Sequence, residues 1–350
     1  MHFRASSISK EYIMLHRSPL ALAALTCLSL TAAASNAQTV TLYGRLAVTV
    51  NQIDTAGSSK LLEVRDNASR FGMRGVEELG GGMQALFGME WGFSADTGAA
   101  TNPAFRNTYV GLRGRWGTVA LGRLDSANPT GSPLYSQIVS LTHFAPNDAG
   151  ATATSTSMQN ARNRTSNSLG YASPNWSGLS LRTRVYLGGA GTAADPEDAL
   201  RSWDTGLNYQ TGKLKAALGY AKDSRKGGLT NNSFEDKWQA GLNYEALPGL
   251  ELYVLGGVDR YKNTATTRRD VQYSMLGAAY TVGPHKLVLN LMQRDVQSSL
   301  TGDRKRQQLS YQYFLSKRTD LQLFFDNDGI DSSRSNVRVR AIGAGVRHNF

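Results

Sequence analysis

From residue 39 to the end, this chain alternates. In 39–51 (TVTLYGRLAVTVN), Val40, Leu42, Leu46, Val48 and Val50 take even positions, and Thr41, Tyr43, Arg45, Ala47 and Thr49 take odd ones. Successive side chains of a strand point to opposite faces, so this stretch reads as a strand with one apolar and one polar face. In 69–75, Phe71 and Met73 oppose Arg70, Gly72 and Arg74. In 85–93, Ala85, Phe87, Met89, Trp91 and Phe93 share a face opposite Glu90. Those five groups cover about 27 Å at roughly 3.4 Å per residue. Sixteen such segments follow one another, the last at 337–350, with no linker and no helical period of useful length between them. The expected fold class is all-β and antiparallel.

Alternation leaves open which way the apolar face points. A soluble sandwich turns it inward and a membrane barrel outward. The connections separate the two. Short turns at 210–212, 246–249, 282–285 and 316–318 alternate with longer polar loops at 189–201, 223–234, 262–270, 297–305 and 329–336. Short turns on one side and long loops on the other are the pattern of an outer-membrane barrel. Tyr209, Tyr244, Tyr280 and Tyr313 stand beside the short turns, where an interfacial girdle is expected. The mean hydropathy of −0.34 does not oppose this, because alternate positions hide the apolar half.

The first 37 residues are different. His16 and Arg17 precede an apolar run at 20–34 that is too short to span a bilayer comfortably, and Ser35-Asn36-Ala37 has the small-x-small form of a cleavage site. Residues 1–37 are read as a secretory signal peptide cut before Gln38, with either Met1 or Met14 as the start. The single cysteine, Cys27, lies in this leader, so thiolate metal sites and cysteine catalysis are excluded from 38–350. The formal net charge is +11, of which +2 belongs to the leader. In an exported chain that excess suits anionic solutes and not nucleic acid.

One long stretch, 125–161, breaks the alternation. It holds three prolines and much Ser, Thr, Ala and Asn. A structureless run of this length inside a domain is usually functional or a linker. With strands on both sides, it is expected to be held inside the barrel.

Five stretches then resemble the general trimeric porins of Gram-negative outer membranes, in their β-proteobacterial form. They are TVTLYGRL, SRFGMRGVEELGGGMQALFGMEWGF, TYVGLRGRWGTVALGR, YFLSKRTDLQLF and the ending GAGVRHNF, in the expected order over 39–350. The resemblance implies a sixteen-stranded antiparallel transmembrane β-barrel over 38–350. It implies a homotrimer in outer-membrane lipid and lipopolysaccharide, with 125–161 as the third loop folded into the lumen to form the constriction. It places constriction arginines at Arg45 in YGR, Arg70 in SRFG and Arg123 in LGR, and a further one at Arg164. Arg74, Arg162, Arg182 and Arg184 join them from alternation alone as secondary lumenal charges, with Glu90 as a counter-charge. The resemblance also implies that Phe350 is read by the barrel assembly machinery. Cation-preferring members carry an acidic patch in the loop. Here the same region reads PLYSQIVSLTHFAPND, with Asp125 at its root and Asp148 as its acids. If either acid lies across the lumen from the arginines, a transverse field results.

The function implied is a water-filled diffusion channel for small anionic or neutral hydrophilic solutes that favours anions, since charged linings set pore selectivity. The rivals are a substrate-specific channel for small anions or sugars and, further off, a barrel enzyme or purely structural barrel. Enzyme readings find little support: the histidines beyond the leader, His143, His285 and His348, have no nucleophile placed beside them by any pattern. No cofactor or metal is implied, and HExxH and EF-hand loops are missing from the sequence.

Overall fold

Seventeen β-segments and one helix make up the computed structural model, which describes residues 39–125, 128, 130–143, 164–187, 200–225, 229, 233–295, 302–332 and 335–350. The chain begins with β1 (Thr39–Thr55), β2 (Leu61–Asp66), β3 (Arg70–Gly80), β4 (Met83–Phe93), β5 (Ala100–Gly114) and β6 (Gly117–Leu124). The helix α1 (Pro133–Leu141) follows. Next come β7 (Thr165–Ala172), β8 (Leu179–Tyr186), β9 (Leu200–Thr211), β10 (Leu214–Arg225), β11 (Ser233–Leu247) and β12 (Leu250–Lys262). The last are β13 (Arg268–Val282), β14 (His285–Asp295), β15 (Gly302–Phe314), β16 (Thr319–Ser332) and β17 (Ser335–Asn349).

Apart from β2 and β3, sequence neighbours pair antiparallel, and β1 pairs with β17 from Arg45↔Asn349 to Thr55↔Val339, so the sheet closes on itself. Closure removes the free edge that an open sheet would present. β1 also pairs with β3 over Thr39–Arg45 and with β2 over Val48–Ile53. β2 and β3 therefore lie end to end and fill one place in the wall. Seventeen segments thus make a closed sixteen-stranded antiparallel barrel. Alternation does not mark 61–66, because Leu61 and Leu62 are adjacent and both exposed.

The two faces are inverted relative to a soluble protein. Along β14, Leu287, Leu289 and Leu291 are exposed, while Asn290 and Arg294 are buried. Along β16, Leu321, Leu323 and Phe325 are exposed, while Gln322 and Asp326 are buried. An apolar belt facing out and a polar lining facing in require lipid around the wall. Aromatic side chains mark two levels of that belt. Tyr209, Tyr244, Tyr280, Trp116 and Trp176 are exposed near the short turns. Farther along, on β9, β10 and β11, Trp203, Tyr220 and Trp238 pack against one another with tilted rings, centroids 5.2 and 4.5 Å apart. Trp203 and Tyr209 are six residues apart, about 20 Å along a strand at roughly 3.4 Å per residue, close to the height of an apolar band.

The long run is not structureless: it contains α1. Ser132 caps the helix, its Oγ accepting from the Tyr135 N–H at 3.3 Å, and Pro133 occupies the first turn, where its missing N–H costs nothing. Leu134, Gln137, Ile138 and Leu141 recur at helical spacing and are all buried. Thr142 closes the helix through its Oγ1, which donates to the Ile138 carbonyl at 2.7 Å. The buried stripe rests on the polar inner face of β9–β12. Gln137 Nε2 donates to the carbonyls of Leu207 (3.3 Å) and Leu218 (3.0 Å). Gln239 Nε2 donates to the Leu134 carbonyl at 3.0 Å, and Asn243 Nδ2 to that of Leu141 at 2.8 Å. Ile138 and Leu141 pack into a cluster with Tyr253, Leu255, Tyr273 and Met275.

Candidate functional site

The site begins where β2 gives way to β3. Between them Ala68 adopts φ 60, a left-handed backbone that costs a residue with a Cβ about 1–2 kcal/mol. The break is pinned on every side. Asn67 Nδ2 donates to Thr49 Oγ1 at 2.9 Å, the Ala47 N–H donates to Ser69 Oγ at 3.1 Å, and the Asp66 carboxylate accepts from the N–H groups of Ser69 and Ala95. Its effect is to present two carbonyls to two arginines. Arg45 Nη2 donates to the Asn67 carbonyl at 2.8 Å and to the Ala68 carbonyl at 3.2 Å. Arg70, directly opposite Arg45 in the register, donates from Nη1 to the same Ala68 carbonyl at 3.0 Å. Two guanidinium groups that would repel each other are thus tied to one backbone oxygen.

Glu90, buried on β4, holds the next layer. Its Oε2 lies 3.4 Å from Arg70 Nε and accepts from the Tyr43 hydroxyl at 3.3 Å, and its Oε1 accepts from Arg106 Nε at 2.7 Å. Arg106 has no role in the alternation, yet it belongs to the cluster. In the β4–β5 register Glu90 faces Asn107 and Trp91 faces Phe105, leaving Arg106 as the extra residue of a bulge. A bulge re-aims a side chain, and here it turns Arg106 inward. Arg74 lies over the Tyr43 ring, 5.3 Å from its centroid.

Arg164, just before β7, lies 3.6 Å from Asp125. Burial, and then the neighbouring Arg106, lower the Arg164 pKa to about 10, with Asp125 opposing, so it stays charged at neutral pH. Asp125 therefore stands on the arginine side and sets up no field across the lumen. The other acid expected to do so, Asp148, lies outside the described residues, as does Arg162.

Arg123 stands at the edge of this cluster, its charge within reach of Asp125. It donates to the Phe105 carbonyl at 2.9 Å and to Ser166 Oγ at 2.8 Å. Arg184 does face inward but is 3% exposed and bound to Asp204, with Nη2 2.6 Å from Oδ2. Arg182 faces inward two residues before it. Phe350 closes the barrel seam: its carbonyl accepts from the Gly44 N–H and its N–H donates to the Gly44 carbonyl, both at 3.1 Å, and its ring covers the space a Cβ at Gly44 would need.

The wall from β11 round to β17, which meets β1, is charged too, but largely paired. Asp259 sits between Lys237 (2.9 Å) and Arg294 (2.6 Å). Arg306 pairs with Asp326 and Arg304 with Asp328, and Arg347 lies 2.8 Å from Asp320. At the end of α1, His143 Nδ1 lies 2.9 Å from Lys286 Nζ and its Nε2 3.3 Å from Glu251.

Known proteins agree with this architecture. A family described as Gram-negative porin matches residues 21–332. Outer membrane porin protein 32 of Delftia acidovorans is 29% identical, covering 93% of each chain. An outer membrane porin protein of Bordetella pertussis is 26% identical over 81% of this chain and 83% of its own length. Among solved structures, the anion-selective porin from Comamonas acidovorans superposes with a TM-score of 0.71 at 23% identity, covering 90% of this chain and all of that one. An outer membrane protein of Vibrio cholerae, solved in trimer form, gives 0.65 at 12% identity over 90% of this chain and all of its own.

Proposed function

The chain belongs to the Gram-negative porin family, and from that premise we propose that its barrel passes small hydrophilic solutes with a preference for anions. It is a channel protein of the outer membrane. The observation that carries the preference is the charge of the inner cluster. Five arginines, Arg45, Arg70, Arg74, Arg106 and Arg164, stand with three carboxylates, Glu90, Asp125 and Asp66. One uncompensated charge 4 Å from a passing ion is worth about 1 kcal/mol in a water-like dielectric and about 4 at an effective value of 20. Since about 1.4 kcal/mol is tenfold, a small excess of arginine suffices for a marked preference. Arg suits the task because it stays protonated and its planar fork fits carboxylate and phosphate.

In this reading α1 narrows the lumen. Residues 1–37 direct export and are removed. The assembled form is a homotrimer in lipid and lipopolysaccharide, in line with the trimeric Vibrio relative, and the barrel assembly machinery recognises the strand ending in Phe350. The test is the zero-current potential of a planar bilayer separating unequal KCl solutions. The unmodified protein gives the sign of a chloride-preferring pore, and Arg45→Gln, Arg70→Gln and Arg106→Gln together lower that preference several-fold. A potassium-preferring sign in the unmodified protein overturns the reading. An unchanged potential in the triple variant overturns the assignment to these residues.

A further inference from the structure

We propose that the cavity between α1 and β8–β10 is a second, separate binding site for a small oxyanion, phosphate or carboxylate, at the short-turn end of the barrel. The inference rests on the anion-preferring reading above and adds to it a site that binds instead of merely attracting.

The argument starts from two arginines on one strand face. Arg184 stands opposite Asp204 in the β8–β9 register and is paired with it. Arg182 stands opposite Gly206 on β9 and Ala172 on β7, neither of which carries a charge. Gly206 is imposed by the helix: a Cβ there would lie 2.6 Å from Gln137 Nε2 and 2.8 Å from Pro133 Cβ. The packing that seats α1 on the wall thus forbids a carboxylate opposite Arg182. Among the described residues the Arg182 guanidinium has no ion pair and no hydrogen bond, although the residue is half-buried.

A cavity of about 190 Å³ opens onto it, lined also by Lys215, Asn208, Asn175, Ser136 and Ser140. No carboxylate is among its lining residues. Ser136 and Ser140 donate their hydroxyls to helix carbonyls, so the donors left include Arg182, Lys215, Asn208 and Asn175. Asn175 Oδ1 accepts from the Gly178 N–H, which leaves its amide NH2 as a donor. Lys215 lies 3.3 Å from Glu251, whose charge the Lys286 ammonium also draws on, so its charge is only partly answered. A half-buried guanidinium without a counter-charge is unfavourable until an anion from solution pairs with it. Its fork engages two oxygens at once, which phosphate and carboxylate offer and chloride does not. The site therefore separates oxyanions from halide.

The experiment is chloride current through single channels of the full barrel, with inorganic phosphate or propionate titrated in separately. Expected is a saturating block in the unmodified protein, with a half-blocking concentration at least fivefold higher in Arg182→Gln. Block by either anion supports the site, and the ratio of the two says which it favours. The absence of saturable block by both anions overturns the proposal, as does equal block with Arg182→Gln. If that variant does not insert, Arg182→Lys is read instead: a several-fold weaker block supports the role of the fork, and an unchanged one refutes it. The zero-current potential of the unmodified protein is recorded on the same channels, so failure of the parent reading shows as a wrong sign there and failure of the site as unsaturable current.

Discussion

The lumen has two charged walls that use the same residue types in opposite ways. On β11–β17, most described cations in the lining have a carboxylate: Lys237 and Arg294 share Asp259, Arg306 has Asp326, Arg304 has Asp328 and Arg347 has Asp320, while Lys286 lies beside His143. In the cluster on β1–β5, Arg45, Arg70, Arg74 and Arg106 stand with only Glu90 and Asp66, and Arg45 is held by two backbone carbonyls with no ion pair among the described residues. The first arrangement cancels its own field and ties neighbouring strands together. The second keeps its field and must be held by something other than opposite charge. An arginine in a pore is therefore identified as functional by the lack of a carboxylate partner and not by facing the lumen.

The largest effect follows from breaking a paired site. Asp259 is fully buried, with two buried cations on it. Removing one partner of a buried ion pair costs about 3–5 kcal/mol, because the remaining charge stays desolvated. Asp259→Ala should sharply lower the midpoint of heat-induced loss of the folded band on a denaturing gel, while Arg45→Gln changes it by about 1 kcal/mol or less, the size of ordinary hydrogen bonds to carbonyls. If the two variants lower the midpoint equally, the contrast between the walls is wrong.

A smaller effect belongs to the contact between α1 and the paired wall. His143 joins the end of α1 to the wall, facing Lys286 on β14, Glu251 on β12 and Lys215 on β10, with Tyr253 donating to its carbonyl. Burial, and then the Lys286 ammonium, lower the His143 pKa below the usual value of about 6.5, with Glu251 opposing. The unfolded chain therefore takes up a proton at higher pH than the folded one. Stability from this group is full above about pH 6.5 and is lost as pH falls from there toward the depressed value. The folded-band midpoint of the unmodified protein should drop between pH 7.5 and pH 5 more steeply than that of His143→Gln. Parallel slopes would show that the ring does not titrate against the fold.

How much of this the sequence contains depends on whether a feature is local or relational. The barrel is legible because a period of two repeats along the whole chain, and one strand's alternation is enough to put Arg45, Arg70 and Glu90 on the polar face. Arg106 is not legible, because the β4–β5 bulge shifts its parity and a bulge is a property of two strands. The same holds for the edge position of Arg123, which sits at the irregularity between Gly122 and Leu124 in the β6–β7 register. Arg182 and Arg184 look alike until the register sets Gly206 against one and Asp204 against the other. For α1 the signal was present: a Ser-Pro start followed by Leu134, Ile138 and Leu141 at helical spacing. Nine residues containing Gln137 in the buried stripe give too weak a period to stand out beside strands.

The smallest effect tests the break that holds the unpaired wall. Ala68 accepts a left-handed backbone, and glycine would adopt it without the Cβ penalty, at the cost of a more flexible unfolded chain. Those terms nearly cancel, so Ala68→Gly should move the thermal midpoint by about 1 kcal/mol or less and leave the channel unchanged. A β-branched residue tolerates this backbone poorly. Ala68→Val should therefore displace the break, and with it the carbonyls of Asn67 and Ala68 that hold Arg45 and Arg70. Freed guanidinium groups sample the lumen: open-channel noise rises and single-channel conductance falls, by about twofold or less on the scale set by one or two lost hydrogen bonds. If Ala68→Val conducts as quietly as Ala68→Gly, the carbonyls do not hold the arginines, and repulsion among the cations must be relieved by water instead.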